Sequence, residues 1–276
     1  MKEQDCLRRF LFEEVGVRGE WVRLQDSWQA TKHHQNLNSA VESQLGQALA
    51  AVVLLSATIK FEGTMILQAQ GDGSLHSLVA HCSHDHKIRG LVRYNSEVTT
   101  HTLPEMMGQG RLVLTVESEN AAPYQGVVAL EGNSLAEMLH TYFMQSEQLQ
   151  TRLWLFANQT HAVGLLLQEL PAQVGYEADW ERIETLASTI TEAELLNLDC
   201  EDVLYRLFNE EHVRIYPAET VEFSCSCSRE KISNTLRTFG KAELSEILLE
   251  RGNIEVNCEF CSEKYYFREA DIAALF

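Results

Sequence analysis

Residues 63–94 read GTMILQAQGDGSLHSLVAHCSHDHKIRGLVRY. Three strand-like runs lie here, Thr64 to Gln70, Leu75 to His81 and Ile88 to Tyr94, parted by Gly71-Asp72-Gly73-Ser74 and by a polar stretch around His84-Asp85. Turns this short join antiparallel neighbours, whereas a parallel crossover needs a dozen or more residues. The stretch therefore predicts an antiparallel meander.

Outward from it, the same punctuation recurs. Val17 to Leu24 alternates apolar and polar residues, the pattern of a half-buried strand. Ser39-x-x-Glu42 is a capping-box pattern opening a long apolar helix through Leu45, Leu49, Val52 and Val53. Arg111 to Glu117 and Gln125 to Leu130 continue the strands, and Ser134-x-x-Glu137 caps a second helix running to about Leu149. Two last strands, Arg152 to Ala157 and Ala162 to Gln168, finish the domain at Pro171. Strands follow strands through short turns and helices come singly, so residues 1–176 are expected to form an α+β domain built on antiparallel sheet.

The character then changes. Glu177 to Glu211 holds 11 acidic residues against Arg182 and Arg206, a net charge of -9 and half of the -18 carried by all 276 residues. Apolar residues still recur at helical spacing, at Trp180, Ile183, Leu186 and Ile190 and again at Leu195, Leu198, Val203, Leu204 and Leu207, with a further capping box at Thr191-x-x-Glu194. Helices this short depend on tertiary packing, and like-charge repulsion loosens them. Residues 177–222 are thus expected to be an acidic, metastable helical linker that must dock on something.

Acidic residues outnumber basic ones 40 to 22, and a surface of that sign repels phosphate backbones and anionic lipid. Neither nucleic acid nor a membrane is expected as a partner. The start has no apolar signal core, and the longest apolar run, Ala48 to Ile59, falls short of the roughly 20 residues that span a bilayer. A cytoplasmic location is the expectation. Seven cysteines in a chain this long, four of them clustered late, fit a reducing compartment and a metal site better than a disulfide framework.

That cluster is Cys225-Ser226-Cys227, then 30 residues, then Cys258-Glu259-Phe260-Cys261. Two local pairs supply the four tetrahedral ligands of one zinc ion at low entropic cost. Between them Ser233 to Arg237 and Lys241 to Arg251 read as helices, with Gly252 as C-cap, and Tyr265 to Phe267 reads as a strand. Residues 223–276 hold few large apolar groups, while structural zinc contributes on the order of 10–16 kcal/mol in small zinc peptides. The small C-terminal domain is expected to fold only while metallated. Four cysteines leave no open position for a zinc-bound water, but their thiolates remain oxidisable. A thiol sensor coupled to a metastable segment follows from these features.

Phe223-x-Cys225-Ser226-Cys227-Ser228-Arg229-Glu230, Cys258-Glu259-Phe260-Cys261 and the trailing Tyr265 resemble the zinc domain of the redox-regulated heat-shock chaperones called 33 kDa chaperonins. The resemblance spans nearly the whole chain, through Val17-Arg18-Gly19, Lys60-Phe61-Glu62-Gly63, Gly71-Asp72-Gly73, Arg89-Gly90, Tyr124-Gln125-Gly126-Val127-Val128, Ser146-Glu147-Gln148-Leu149 and Gly164-Leu165-Leu166-Leu167-Gln168. Two departures are Gln150, where the family usually has proline, and the stretch His34 to Ser39, which lacks the prolines common there. The resemblance implies an ATP-independent holdase, not an enzyme, that is silent when reduced and zinc-bound and is activated by oxidants together with unfolding conditions. It implies disulfides Cys225 to Cys227 and Cys258 to Cys261, a homodimeric active form, and unfolding client proteins gripped by surface uncovered when Glu177 to Tyr216 unfolds.

Other features read as structure. His81-Cys82-Ser83-His84-Asp85-His86 reads as a solvated hairpin loop rather than a metal cluster, and Gly71-Asp72-Gly73 as a hairpin turn without phosphate-loop completion. Cys6, Cys82 and Cys200 read as small, partly buried side chains, and no nucleophile elbow occurs. Two rival functions stand beside the chaperone. A zinc-ribbon nucleic-acid binder is opposed by seven basic against nine acidic side chains in residues 223–276. A thiol oxidoreductase using Cys258 and Cys261 would need a thioredoxin-like βαβ context, where a strand follows instead.

Overall fold

The helix Ser39–Ala57 buries 15 of its 19 residues, so it has no solvent face and must be covered on every side. Its length and apolar composition would suffice to cross a bilayer, but what covers it is protein: two sheets of this chain enclose it. The computed structural model describes residues 3–13, 15–95, 98, 100, 102–118, 121–170 and 177–276. The expected domain end at Pro171 and the boundary at 176 lie outside these residues.

In chain order the first elements are β1 (Cys6–Phe12), β2 (Val17–Leu24), α1 (Asp26–Lys32) and α2 (Ser39–Ala57). The meander follows as β3 (Gly63–Gly71), β4 (Leu75–Ser83) and β5 (Lys87–Tyr94), then α3 (Leu103–Met107), β6 (Gly110–Ser118) and β7 (Ala121–Ala129). After α4 (Leu135–Tyr142) and a π turn at Phe143–Glu147 come β8 (Thr151–Ala157) and β9 (Ala162–Glu169). The acidic segment forms α5 (Glu177–Ala187), α6 (Glu192–Asn197) and α7 (Cys200–Phe208), followed by short strands β10 (Val213–Ile215), β11 (Glu219–Thr220) and β12 (Glu222–Phe223). The last elements are α8 (Arg229–Arg237), α9 (Lys241–Arg251), β13 (Ile254–Asn257), β14 (Lys264–Phe267) and α10 (Glu269–Ala273).

The fold is α+β with antiparallel sheets, apart from a two-residue parallel pairing of β12 with β5. One sheet runs β10-β1-β2-β9-β8, with β11 also on β1, and the other runs β12-β5-β4-β3-β6-β7. Helix α2 lies between them, and Leu7, Val22 and Leu166 of the first sheet join Met65, Leu78 and Ile88 of the second in one core around it. The chain divides into two compact units, Met1–Phe223 and Ser224–Phe276.

Three local readings differ from expectation. Strand β2 is buried on both faces rather than one, because α5, α6 and α7 cover the face turned away from α2. Helix α2 is capped by Asn38, whose side chain accepts from the Val41 N–H at 2.9 Å, and Glu42 pairs with Lys32 instead of closing a box. Strand β4 runs through Cys82 to Ser83, and His86 is buried, so only His84-Asp85 forms the exposed turn of the expected loop. The capping box at Thr191 forms in full: Glu194 N–H donates to the threonine hydroxyl and the Glu194 carboxylate accepts from the Thr191 N–H at 2.9 Å.

Candidate metal centre and the covered sheet face

In the second unit, Cys225 and Cys227 lie just before α8, whose N-cap Ser228 accepts from the Lys231 N–H at 3.2 Å. Cys258 and Cys261 occupy the turn joining β13 to β14, where Asn257 pairs with Lys264. That turn is closed by Cys258 N–H to Glu263 O at 2.9 Å and Ser262 N–H to Cys258 O at 2.7 Å, with Ser262 in the left-handed region at φ 57°. Arg229 ties the two halves together: its guanidinium stacks 4.3 Å from the Phe267 ring, donates to Tyr266 O at 2.9 Å and meets Asp271 at 2.8 Å.

All four cysteines come together. Their sulfur atoms lie within 4.8 Å of one another, with Cys225 to Cys258 at 3.6 Å and Cys227 to Cys261 at 3.4 Å. Four thiolates about 2.3 Å from one tetrahedral cation stand about 3.8 Å apart, so this donor set fits a closed, all-sulfur metal site. Both of these separations run between the two sequence pairs. Burial pushes the Cys261 thiol upward, a penalty that a bound divalent cation reverses by holding the ligands as thiolates. Tyr265 Oη donates to Cys227 Sγ at 3.3 Å, an outer contact that sequence spacing did not reveal. Among the described residues no other cluster of His, Cys, Asp and Glu is gathered in this way, the His81 to His86 stretch included.

The unit around this centre is thinly supported otherwise. Its buried apolar cluster consists of Leu236, Leu244, Ile254, Phe267 and Ile272. At about 1.5–3 kcal/mol each, five such side chains contribute roughly 10 kcal/mol gross. Four-thiolate coordination, on the order of 10–16 kcal/mol in small zinc peptides, would at least match that contribution.

The second notable surface belongs to the first unit and is the outer face of β1, β2, β9 and β8. The strand registers set side chains there in rows, one of them Arg8, Trp21, Leu165 and Trp154. The next row is Phe10, Gly19, Leu167 and Arg152, in which the missing side chain of Gly19 leaves room for the Phe10 ring; a Cβ there would stand 2.1 Å from it. Helices α5 to α7 cover this face through Trp180, Ile183, Leu195, Val203, Leu207 and Phe208, all buried.

Polar ties fasten the cover. Arg23, 1% exposed, donates to Asp199 Oδ1 at 2.7 Å and to the Leu198 carbonyl, and Arg152 pairs with Glu184. Arg8 holds Glu3 at 2.5 Å and reaches Glu201 at 3.9 Å. The apolar helical spacing of the segment was legible in the sequence; the arginines awaiting it were not. Cys6 and Cys200 are sealed in this interface and Cys82 in the central core. Burial pushes the Cys6 thiol up to about 11 and the Cys82 thiol up to about 12, and pushes Cys200 up as well.

Comparison with known proteins gives a consistent result. The family profile described as Hsp33 protein matches residues 5–268. A 33 kDa chaperonin of Nitrosococcus oceani is 53% identical over 276 residues, covering 100% of this chain and 96% of the relative. Those of Neisseria meningitidis serogroup A and Aliivibrio salmonicida are 45% and 42% identical, covering 99% of this chain and 91% and 95% of theirs. A crystal structure of the 33 kDa chaperonin from Thermotoga maritima superposes with a TM-score of 0.85 at 24% identity, covering 98% of this chain and 97% of that one, which speaks for the fold. With a full-length family match and relatives above 40% identity, this chain belongs to the Hsp33 family.

Proposed function

We propose that this protein is a redox-regulated, ATP-independent holdase that binds unfolding proteins after oxidation of its four-cysteine centre. In the reduced state Cys225, Cys227, Cys258 and Cys261 hold one zinc ion, which supplies the cross-link that the small apolar core of Ser224–Phe276 does not. An oxidant such as hypochlorite or peroxide takes two electrons from Cys225 and Cys227 and two from Cys258 and Cys261. Each pair of thiolates becomes one disulfide and no longer binds the metal. These pairings are the ones the family resemblance implies. Residues 224–276 then unfold, the acidic segment 177–222 undocks, and the uncovered sheet face grips clients in a homodimeric active form.

The observation that carries this reading is the convergence of four sulfur atoms within 4.8 Å in a unit with so little other support. The family and the name of its curated relatives, 33 kDa chaperonin, support chaperone work, and no catalytic residue is assigned. Cys258 and Cys261 sit in a β-hairpin turn, not at a helix N-terminus, which argues against the oxidoreductase. The test is to treat the reduced, zinc-loaded protein with hypochlorite and follow released zinc, free thiols and aggregation of a heat-unfolded client. Loss of four thiols and of one zinc per chain, in step with suppressed aggregation, is expected. Suppression that is the same before and after oxidation would sink the switch.

A further inference from the structure

The covered sheet face is not merely apolar. Its strands point three arginines toward the helices, Arg8, Arg23 and Arg152, against a single carboxylate, Glu169, at the far end of the β2–β9 ladder. The segment now lying on the face answers two of them with acids, Asp199 on Arg23 and Glu184 on Arg152, whereas Arg8 is held at 2.5 Å by Glu3 and only approached by Glu201. The occupant is therefore a worked example of what the face accepts, an apolar helical stripe with carboxylates at its edges. We propose that, once uncovered, this face selects client segments in which apolar residues are flanked by Asp or Glu, the arginines reading the flanks.

This rests on the proposed function, since the face must be uncovered to bind anything else, and it adds a charge rule to it. The geometry sets the spacing. Arg23 and Arg152 stand two strands and four residues apart across the sheet, about 16 Å between backbones, which matches about eleven residues of helix. A guanidinium donating to a client carboxylate regains the charge-assisted hydrogen bonds it loses when the segment departs. The rule runs against the bulk electrostatics. A net charge of -18 attracts cationic peptides and repels anionic ones at long range. Beyond a Debye length of about 10 Å at 0.1 M salt that field is screened, and contact pairs decide.

Three synthetic peptides distinguish the two. They share one eleven-residue apolar helical face and carry Glu, Gln or Lys at both flanks, and their binding to the hypochlorite-oxidised full chain is read by fluorescence anisotropy at about 0.1 M salt. The expected order is Glu, then Gln, then Lys, with about tenfold between Glu and Gln for two partly exposed pairs, fading near 1 M salt. In the Arg23→Gln/Arg152→Gln chain the Glu to Gln ratio should fall toward one, and the reduced chain should bind none of the three. Equal affinities, the reverse order, or a preference that survives the double substitution would overturn the proposal. Failure of all three peptides to bind an oxidised chain that still suppresses client aggregation would overturn it too, leaving the chaperone reading standing; absence of suppression would remove both.

Discussion

Replacing Ile183 with alanine tests how firmly the acidic segment is held. Ile183 is 0% exposed on α5 and packs in the cluster between the helices and the outer sheet face, remote from the core around α2. Truncating a buried isoleucine to alanine costs about 2–5 kcal/mol. Taking about 3 kcal/mol, the population of the undocked segment rises roughly 150-fold, provided the rest of the unit stays folded. The structure supplies its own reporters. Cys6 lies under the segment and Cys200 on it, at the start of α7, while Cys82 lies in the central core. Their thiols are held protonated by burial, so an alkylating reagent reaches them only through opening. Mass mapping of reduced, zinc-loaded protein during timed alkylation should show Cys6 and Cys200 labelled on the order of a hundred times faster in Ile183→Ala, with Cys82 unchanged. Equal acceleration at all three cysteines would mean that the segment opens only with global unfolding, and unchanged rates would mean that Ile183 does not hold it; either result refutes local undocking.

Two further outcomes are expected. Cys258→Ser, or removal of metal by a strong chelator, should unfold residues 224–276 while leaving the first unit's sheets intact, seen as loss of amide dispersion confined to that unit; a second unit that stays folded without metal would contradict the support assigned to the thiolates. Glu20 is 2% exposed, its Oε2 has no hydrogen-bond partner, and burial pushes its carboxyl up to about 7 against the pull of Arg18 and Arg9. The folded state thus keeps a proton that the unfolded chain releases above its ordinary value near 4.5, so stability declines as pH rises from about 4.5 to 7 and is flat beyond. Glu20→Gln should gain about 3 kcal/mol on the parent between pH 4 and pH 8 in urea titrations, and a difference independent of pH would refute the buried acid.

What was legible before the structure, and what was not, divides along physical lines. The meander of β3, β4 and β5 could be read because its turns carry their own chemistry, Gly71-Asp72-Gly73 above all. The cysteine centre could be read because metal ligation restricts residue type and spacing together. Strand β1 was missed: Arg8-Arg9 interrupts its alternation, and only the sheet and the acids beyond it explain two adjacent arginines. Helix α1 was missed because its cap is not local. The Asp5 carboxylate, some twenty residues upstream, accepts from the N–H groups of Gln25, Asp26 and Ser27 at 2.8–2.9 Å. Strands β10 to β12 are only two or three residues long, too short to show an alternation, and their pairing with β1 and β5 is wholly tertiary. The acidic helices were legible as amphipathic, but what they cover was not, since β2 reads as half-buried until its second face is seen to be occupied.

The most direct test of the switch is hydrogen exchange followed by mass spectrometry on the full chain before and after hypochlorite, at a temperature where the client unfolds. The account predicts that amides of 224–276 and of 177–216 lose protection together with release of zinc, while β2, β9 and α2 keep theirs. Full client protection by an oxidised chain whose residues 177–216 remain as protected as in the reduced form would contradict it.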